Sequence, residues 1–336
     1  NIPVACSFRC QDFFNNDHPY YAGDIGIGVN PKLAELLKKS DLLILLGTRF
    51  SEMESSGYSL INIPLPQQKL VHVFPDPSEL GRVYFPTLAV AATPAVVAQR
   101  LSELLPLDGQ AGPAEHAQSV NADYELWNTL PEEVGDVGMP TVMRTLSEVM
   151  PADTIVTNGA GNYTAWVHRF HRYKEFRSQL APLSGSMGYG LPAAVAAARV
   201  HPERSVVCFA GDGCFLMHGQ ELATARQYNL KLIILVVNNG MYGTIRMHQE
   251  RSYPGRTSAT DLVNPDFAAL ATAYGCHGEV VEHSDEFAGA LDRAIGVNGP
   301  ALIEIRTDPE ALTPQKTLST IRSEAEEKYK RSSFIG

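Results

Sequence analysis

No apolar run among these 336 residues reaches the length of a membrane span; Leu42 to Leu46 is strand-sized. The opening residues lack the charged, apolar and small-residue regions of a signal peptide. There is no Lys/Arg block, no internal repeat and no low-complexity tract. With a formal net charge of -10 and a pI near 5.5, neither a nucleic acid nor an anionic membrane is expected as partner, because each would be repelled. Cysteine is sparse: Cys6, Cys10, Cys208, Cys214 and Cys276 are odd in number and show no disulfide spacing. A reduced, cytoplasmic setting is the expectation. Cys6 and Cys10 form half of a zinc pattern, but no second Cys/His pair follows. Met is missing at position 1, and the strand-like run Pro3 to Cys6 begins almost at once, which reads as a chain entered mid-domain.

What is present is ordinary for a folded protein of about two domains, 44% hydrophobic and 19% charged. Asp41-Leu-Leu-Ile-Leu-Leu-Gly47 is a continuous apolar run ending in Gly, as expected of a strand buried on both faces, and Lys69 to Phe74 is a second. Asn30-Pro31 opens a helix, with Asn as N-cap and Pro at the first helical position, and Thr93-Pro94 opens another. Only three strands are convincing before residue 105, too few for an independent parallel domain, so part of that domain is expected upstream of Asn1. Residues 106–123, rich in Gly, Pro and Ala, read as a linker. Residues 124–308 alternate strands with helices, including strands at Ser205–Ala210 and Leu230–Val237 and a helix opened by Asn264-Pro265. Residues 309–336 form a charged tail, helical in part. The fold class is therefore α/β: two domains, each a parallel sheet with helices on both faces.

Two turns carry the chemistry. Gly211-Asp212-Gly213 follows one apolar run, and Asn238-Asn239-Gly240 follows the next. Asp212 and Asn239 are 27 residues apart, about one strand–helix–strand unit. A right-handed crossover puts both strand ends on one sheet edge, where a carboxylate and a carboxamide converge. Two oxygen donors suit Mg²⁺ but cannot complete its octahedron, so a phosphorylated ligand is implied. The glycines permit close backbone approach, and a helix amino terminus favours the anion.

Together these turns resemble the cofactor motif of the thiamine-diphosphate enzymes, the acetolactate synthase/benzoylformate decarboxylase superfamily, and the resemblance extends over nearly the whole chain. It implies that residues 1–105 are most of a Rossmann-like middle domain and that residues 124–308 bind the diphosphate. Asp212 and Asn239 would hold the metal through side chains, and Met241 through its carbonyl. Gly213 and Cys214 would offer backbone N–H groups to the diphosphate, with Gly161, Asn162 and Tyr163 in a contacting loop and Tyr242 and Gly243 completing the motif. Within Gly185-Ser-Met-Gly-Tyr-Gly-Leu-Pro-Ala-Ala194, Gly185 would accept from the 4′-amino group and Met187 would wedge between the cofactor's rings. The Glu that activates the aminopyrimidine sits in an amino-terminal domain that nothing here matches. The resemblance thus implies half a site, completed by the pyrimidine domain of another subunit in a homodimer or homotetramer, with no activity for residues 1–336 alone and no catalytic residue to name.

The stretch Met241 to Glu250 with Thr260-Asp-Leu-Val-Asn-Pro-Asp-Phe267 is similar to acetolactate synthases, which implies decarboxylation and carboligation of a 2-oxo acid. Those enzymes carry Trp where this chain has His248, so His248 is the candidate for the substrate pocket. Asn239-Gly-Met-Tyr-Gly243 leans toward benzoylformate decarboxylase-like members. Thr48-Arg49-Phe50 resembles part of an FAD site, while His72-Val-Phe-Pro-Asp76 departs from its acidic pattern; FAD stays open, with the balance against it. A nicotinamide site at Gly23-Asp-Ile-Gly-Ile-Gly28 fails because no clear strand precedes it and no helix opens on it. A catalytically silent ligand-binding or assembly module is the alternative of another class.

Overall fold

The structure, a computed structural model, describes residues 1–104 and 114–333. It divides into two compact units, Asn1–Thr129 and Leu130–Gly336.

The first unit has five strands in two parallel sheets. β1 (Val4–Cys6) pairs with β2 (Tyr21–Asp24). After α1 (Pro31–Lys39), β3 (Leu42–Leu46), β4 (Lys69–Phe74) and β5 (Leu88–Ala91) form a second sheet in sequence order. α2 (Pro94–Leu104) and α3 (Glu115–Trp127) follow. α1 starts as its sequence implies: Asn30 accepts from the Lys32 amide at 3.0 Å, and Leu33 and Leu37 face the core.

Three expectations need correction in this unit. β3 is not buried on both faces: Leu45 is buried, but Leu42, Ile44 and Leu46 are each more than 40% exposed. β3 pairs on one side only, with β4, and the alternation of its side chains leaves that second set uncovered among the described residues. The linker 106–123 is in part helical. Its first residues lie outside the described ones, but α3 occupies the rest and packs on β2, with Tyr124 edge-on to Tyr21 at 4.8 Å and Asn121 donating to the Tyr21 carbonyl. Residues 124–129 accordingly belong to the first unit. Finally, the Gly23–Gly28 stretch does follow a strand, since Gly23 lies in β2, and α1 starts three residues after Gly28. Gly26 nonetheless backs onto the Phe8 ring, where a Cβ would come within 2.5 Å, so that glycine is explained by packing.

The second unit is a doubly wound sheet. Its elements are α4 (Met139–Val149), β6 (Ile155–Asn158), α5 (Thr164–Phe170), β7 (Gln179–Leu180), α6 (Gly190–Val200), β8 (Val206–Gly211), α7 (Asp212–Phe215) and α8 (Glu221–Gln227). Then come β9 (Leu232–Asn238), α9 (Gly243–Ser252), α10 (Phe267–Ala273), β10 (His277–Val281), α11 (Glu286–Gly296), β11 (Pro300–Arg306) and α12 (Leu318–Ser333). All six strands are parallel, in the order β10-β11-β9-β8-β6-β7. Alternate residues serve opposite faces, as the period of a strand requires. Val207, Phe209, Ile233, Leu235, Ala301 and Ile303 join α4, α5 and α11 in one core. Val206, Cys208, Leu232, Ile234 and Leu302 join α6, α8 and α10 in the other. Connections leave β6 toward β7 on one side and return to β8 on the other. That reversal places a topological switch point between β6 and β8, where open sheets bind ligands beyond the carboxyl ends of their strands.

α8 is short, seven residues from Glu221 to Gln227. The charged tail belongs to the second unit: Leu318 and Ile321 of α12 pack with Leu312 on Met241.

Candidate functional site

The loops beyond β6, β8, β9 and β11 enclose one cavity at this switch point. β8 is buried along its whole length and ends at Gly211, which leads into the single turn of α7. Bulk is excluded here: a Cβ on Gly211 would come within 2.9 Å of the Tyr163 ring, and one on Gly213 within 2.6 Å of Tyr242. These two glycines hold space that only backbone can share.

Asp212 is the buried charge of the site. Its Oδ1 accepts from the Gly213 amide at 2.7 Å. Its Oδ2 accepts from the Gly240 amide and from Asn264 Nδ2, both at 2.9 Å. Burial pushes the carboxyl up from its ordinary value, and the donors at Gly213, Asn264, Gly240 and Met241 oppose that push by favouring the ionised form.

The turn after β9 is folded to meet it. Gly240 has φ of +69°, open to glycine without strain. Asn239 Oδ1 accepts from the Met241 amide at 3.2 Å, and the Met241 carbonyl accepts from Gly243 at 2.9 Å, leaving each oxygen a further lone pair. Residues 260–262 run back alongside: Tyr242 donates to the Thr260 carbonyl and Leu262 to the Gly240 carbonyl. Arg246 clasps this return, donating to Thr260 Oγ1 at 2.6 Å and pairing with Asp261.

The loop after β6 is tied to the same place through sulfur. Tyr163 Oη accepts from the Gly159 amide at 3.0 Å and donates to Cys214 Sγ at 3.2 Å, and the Gly188 amide donates to the same sulfur at 3.0 Å. One thiol thus joins the segments around 160, 188 and 213.

Of the twelve residues that the resemblance assigns to the cofactor, eleven line this cavity: Gly161, Asn162, Tyr163, Met187, Asp212, Gly213, Cys214, Asn239, Met241, Tyr242 and Gly243. Met187 also packs against the core beneath. Gly185 is outside the lining, in a turn where φ is +73° and its amide donates to the Pro182 carbonyl. His248 does not line this cavity either. α9 turns Arg246 and Glu250 inward, and a residue midway between them on a 3.6-residue helix points the other way, so His248 is exposed. Arg49 of the FAD-like stretch lies over the Phe74 ring and pairs with Glu79 at 3.2 Å.

Sequence reasoning missed Asn264. It was assigned to capping a helix, but the cap of α10 is Asp266, which accepts from the Ala269 amide at 2.8 Å. The order Asn-Pro-Asp, with Asp three residues before Ala269, was the available signal. Glu304 was missed too, because a carboxylate inside an apolar strand gives no sign of its partners.

Among the lining residues, the Asp212 carboxylate, the Asn239 carboxamide and the Met241 carbonyl offer oxygens that a hard cation can take. Among the described residues no three His, Cys, Asp or Glu side chains gather as a metal site. A hard cation held here therefore needs oxygens from a ligand as well.

Comparison with known proteins gives the family. The family "Thiamine pyrophosphate enzyme, C-terminal TPP binding domain" matches residues 159–305, and "Thiamine pyrophosphate enzyme, central domain" matches residues 1–101. The chain is 31% identical over 311 residues to the acetolactate synthase isozyme 2 large subunit of Escherichia coli, covering 91% of this chain and 55% of that protein. It is 30% identical over 309 residues to an acetolactate synthase of Mycobacterium avium, covering 88% and 49%. With a probable acetolactate synthase large subunit of Methanocaldococcus jannaschii it shares 30% over 336 residues, covering 93% and 54%. The chain spans about half the length of these relatives.

Proposed function

This chain belongs to the thiamine pyrophosphate enzymes, the family of the acetolactate synthases, and from that premise we propose that its second unit holds thiamine diphosphate and Mg²⁺ for the decarboxylation and carboligation of a 2-oxo acid. The observation that carries the reading is the convergence of Asp212 and Asn239 beyond β8 and β9, beside two glycines that admit no side chain. Asp212, Asn239 and the Met241 carbonyl hold the metal, and the backbone of Gly213 and Cys214 receives the diphosphate. Thiamine diphosphate, when bound, supplies the electron sink for breaking the bond next to a 2-oxo group. The protein's share is position and charge: Asp212 fixes the metal, and Met187 and Trp166 give the cavity an apolar wall.

The reading extends to assembly. Residues 1–336 serve the diphosphate and metal end, and a pyrimidine-binding domain of another subunit meets the other end, in a homodimer or homotetramer working in the cytoplasm. Among the described residues no helix is long and apolar enough to cross a membrane.

Carboligation is favoured over simple decarboxylation because the relatives named above are acetolactate synthases. The test is to supply the full-length protein with pyruvate, Mg²⁺ and thiamine diphosphate and to follow CO₂ and the organic product. A ligated product that requires both additions is expected. Free aldehyde alone would favour the benzoylformate decarboxylase-like alternative, and no turnover with tight cofactor binding would favour a silent module.

A further inference from the structure

We infer that Asn264 is a positioning residue for the metal site, the last link of a polar relay that starts at Glu304 and sets the plane of the Asp212 carboxylate. The inference rests on the metal reading given above. Glu304 is 1% exposed on β11, and three donors converge on it: the amide of Phe267 at the start of α10, Arg306 Nε at 3.1 Å, and Asn238 Nδ2 at 2.8 Å. Since Glu304 takes the amide nitrogen of Asn238, the Asn238 oxygen must face the other way. That oxygen accepts from Asn264 Nδ2 at 2.8 Å and from the Gly240 amide at 3.1 Å. Asn264 Nδ2 spends its second hydrogen on Asp212 Oδ2, at 2.9 Å.

The order of donors and acceptors admits no other arrangement. Asn264 faces two oxygens, so turning its amide over would set oxygen against oxygen at both contacts. The direction of each bond is thus dictated from Glu304, and Asp212, 52 residues before Asn264, receives the last one. Asn264 also carries a mark of a residue kept for something besides stability. Its Oδ1 is buried and has no hydrogen-bond partner among the described residues. Such an atom is costly, and it is tolerated where the rest of the group has a task.

That task follows from geometry. With one Asp212 oxygen held by Gly213 and the other by Gly240 and Asn264, the carboxylate cannot rotate, and its remaining lone pair, on Oδ1, points in a set direction. Mg²⁺ requires near-ideal octahedral geometry, whereas Ca²⁺ accepts variable geometry. Freeing Asp212 should therefore penalise Mg²⁺ more than Ca²⁺.

The experiment is a calorimetric titration of Mg²⁺, and separately of Ca²⁺, into the full-length protein with saturating thiamine diphosphate, comparing wild type with Asn264→Ala and Asp212→Ala. Asn264→Ala is expected to weaken Mg²⁺ by about 10- to 100-fold, the usual effect of losing a partner of a metal ligand, and Ca²⁺ by clearly less. Unchanged Mg²⁺ affinity, or an equal loss for both ions, would overturn the inference, because a merely structural defect does not distinguish them. Asp212→Ala separates the two claims: if it too binds Mg²⁺ normally, the metal assignment has failed rather than the relay. Should Asn264→Ala not fold, Asn264→Ser, too short for both bonds, carries the same expectation.

Discussion

Cys214 offers the plainest contest between two readings of one residue. Sequence reasoning allowed it a backbone role only, and the structure gives its sulfur two donors, Tyr163 Oη and the Gly188 amide. Gly159 sits so close that an added Cβ would lie 2.3 Å from that sulfur. Its φ lies outside the left-handed region, so alanine would meet a steric objection and no backbone one. Gly159→Ala should cost about 1–3 kcal/mol as overpacking does. In a Cys214→Ala background most of that cost should vanish, a coupling of about 0.5–3 kcal/mol readable from urea midpoints. Additive losses would mean that Gly159 is constrained by something other than the sulfur. The place of Asp212 was legible from sequence because a strand end followed by Gly-Asp-Gly announces its own position. Asn264 was not, because its partners lie 26 and 52 residues away and no local pattern encodes them.

At the scale of elements, α12 shows how far a segment's meaning depends on what it touches. Its composition is charged, and it reads as a tail. In the fold Arg322 reaches from α12 to Glu250 of α9, donating at 2.9 and 2.6 Å, while Leu318 and Ile321 cover Met241. The helix therefore braces the turn that carries a candidate metal ligand. The Arg322 guanidinium holds the Glu250 carboxyl below the usual carboxylate range. A group depressed in the folded state adds stability above its unfolded value, about 4.3 for Glu, and that stability is lost as pH falls through the folded value. Urea midpoints of Glu250→Gln should thus fall less steeply than wild type below about pH 5. Parallel slopes would show that the pair does not carry this part of the acid sensitivity. β8 and β9 of the second unit were readable because both their faces are apolar and buried. β3 has the same composition yet is covered on one face only, since an apolar run records hydrophobicity and not the number of neighbours.

On the scale of the whole molecule, the second unit concentrates its chemistry where strand order reverses, and the loops of four strands meet there. Alternation of strands and helices in the sequence was enough to foresee the sheet and the edge on which Asp212 and Asn239 meet. The order of the strands was not foreseeable, because any parallel arrangement satisfies the same alternation. In the function proposed, a metal held by Asp212 fastens the diphosphate. Calorimetric titration of thiamine diphosphate into the full-length protein, with Mg²⁺ and again with excess chelator, tests it most directly when repeated on Asp212→Ala. Wild type with Mg²⁺ should bind saturably, and that binding should be lost both on chelation and on substitution. Equal affinity in all three conditions would contradict it.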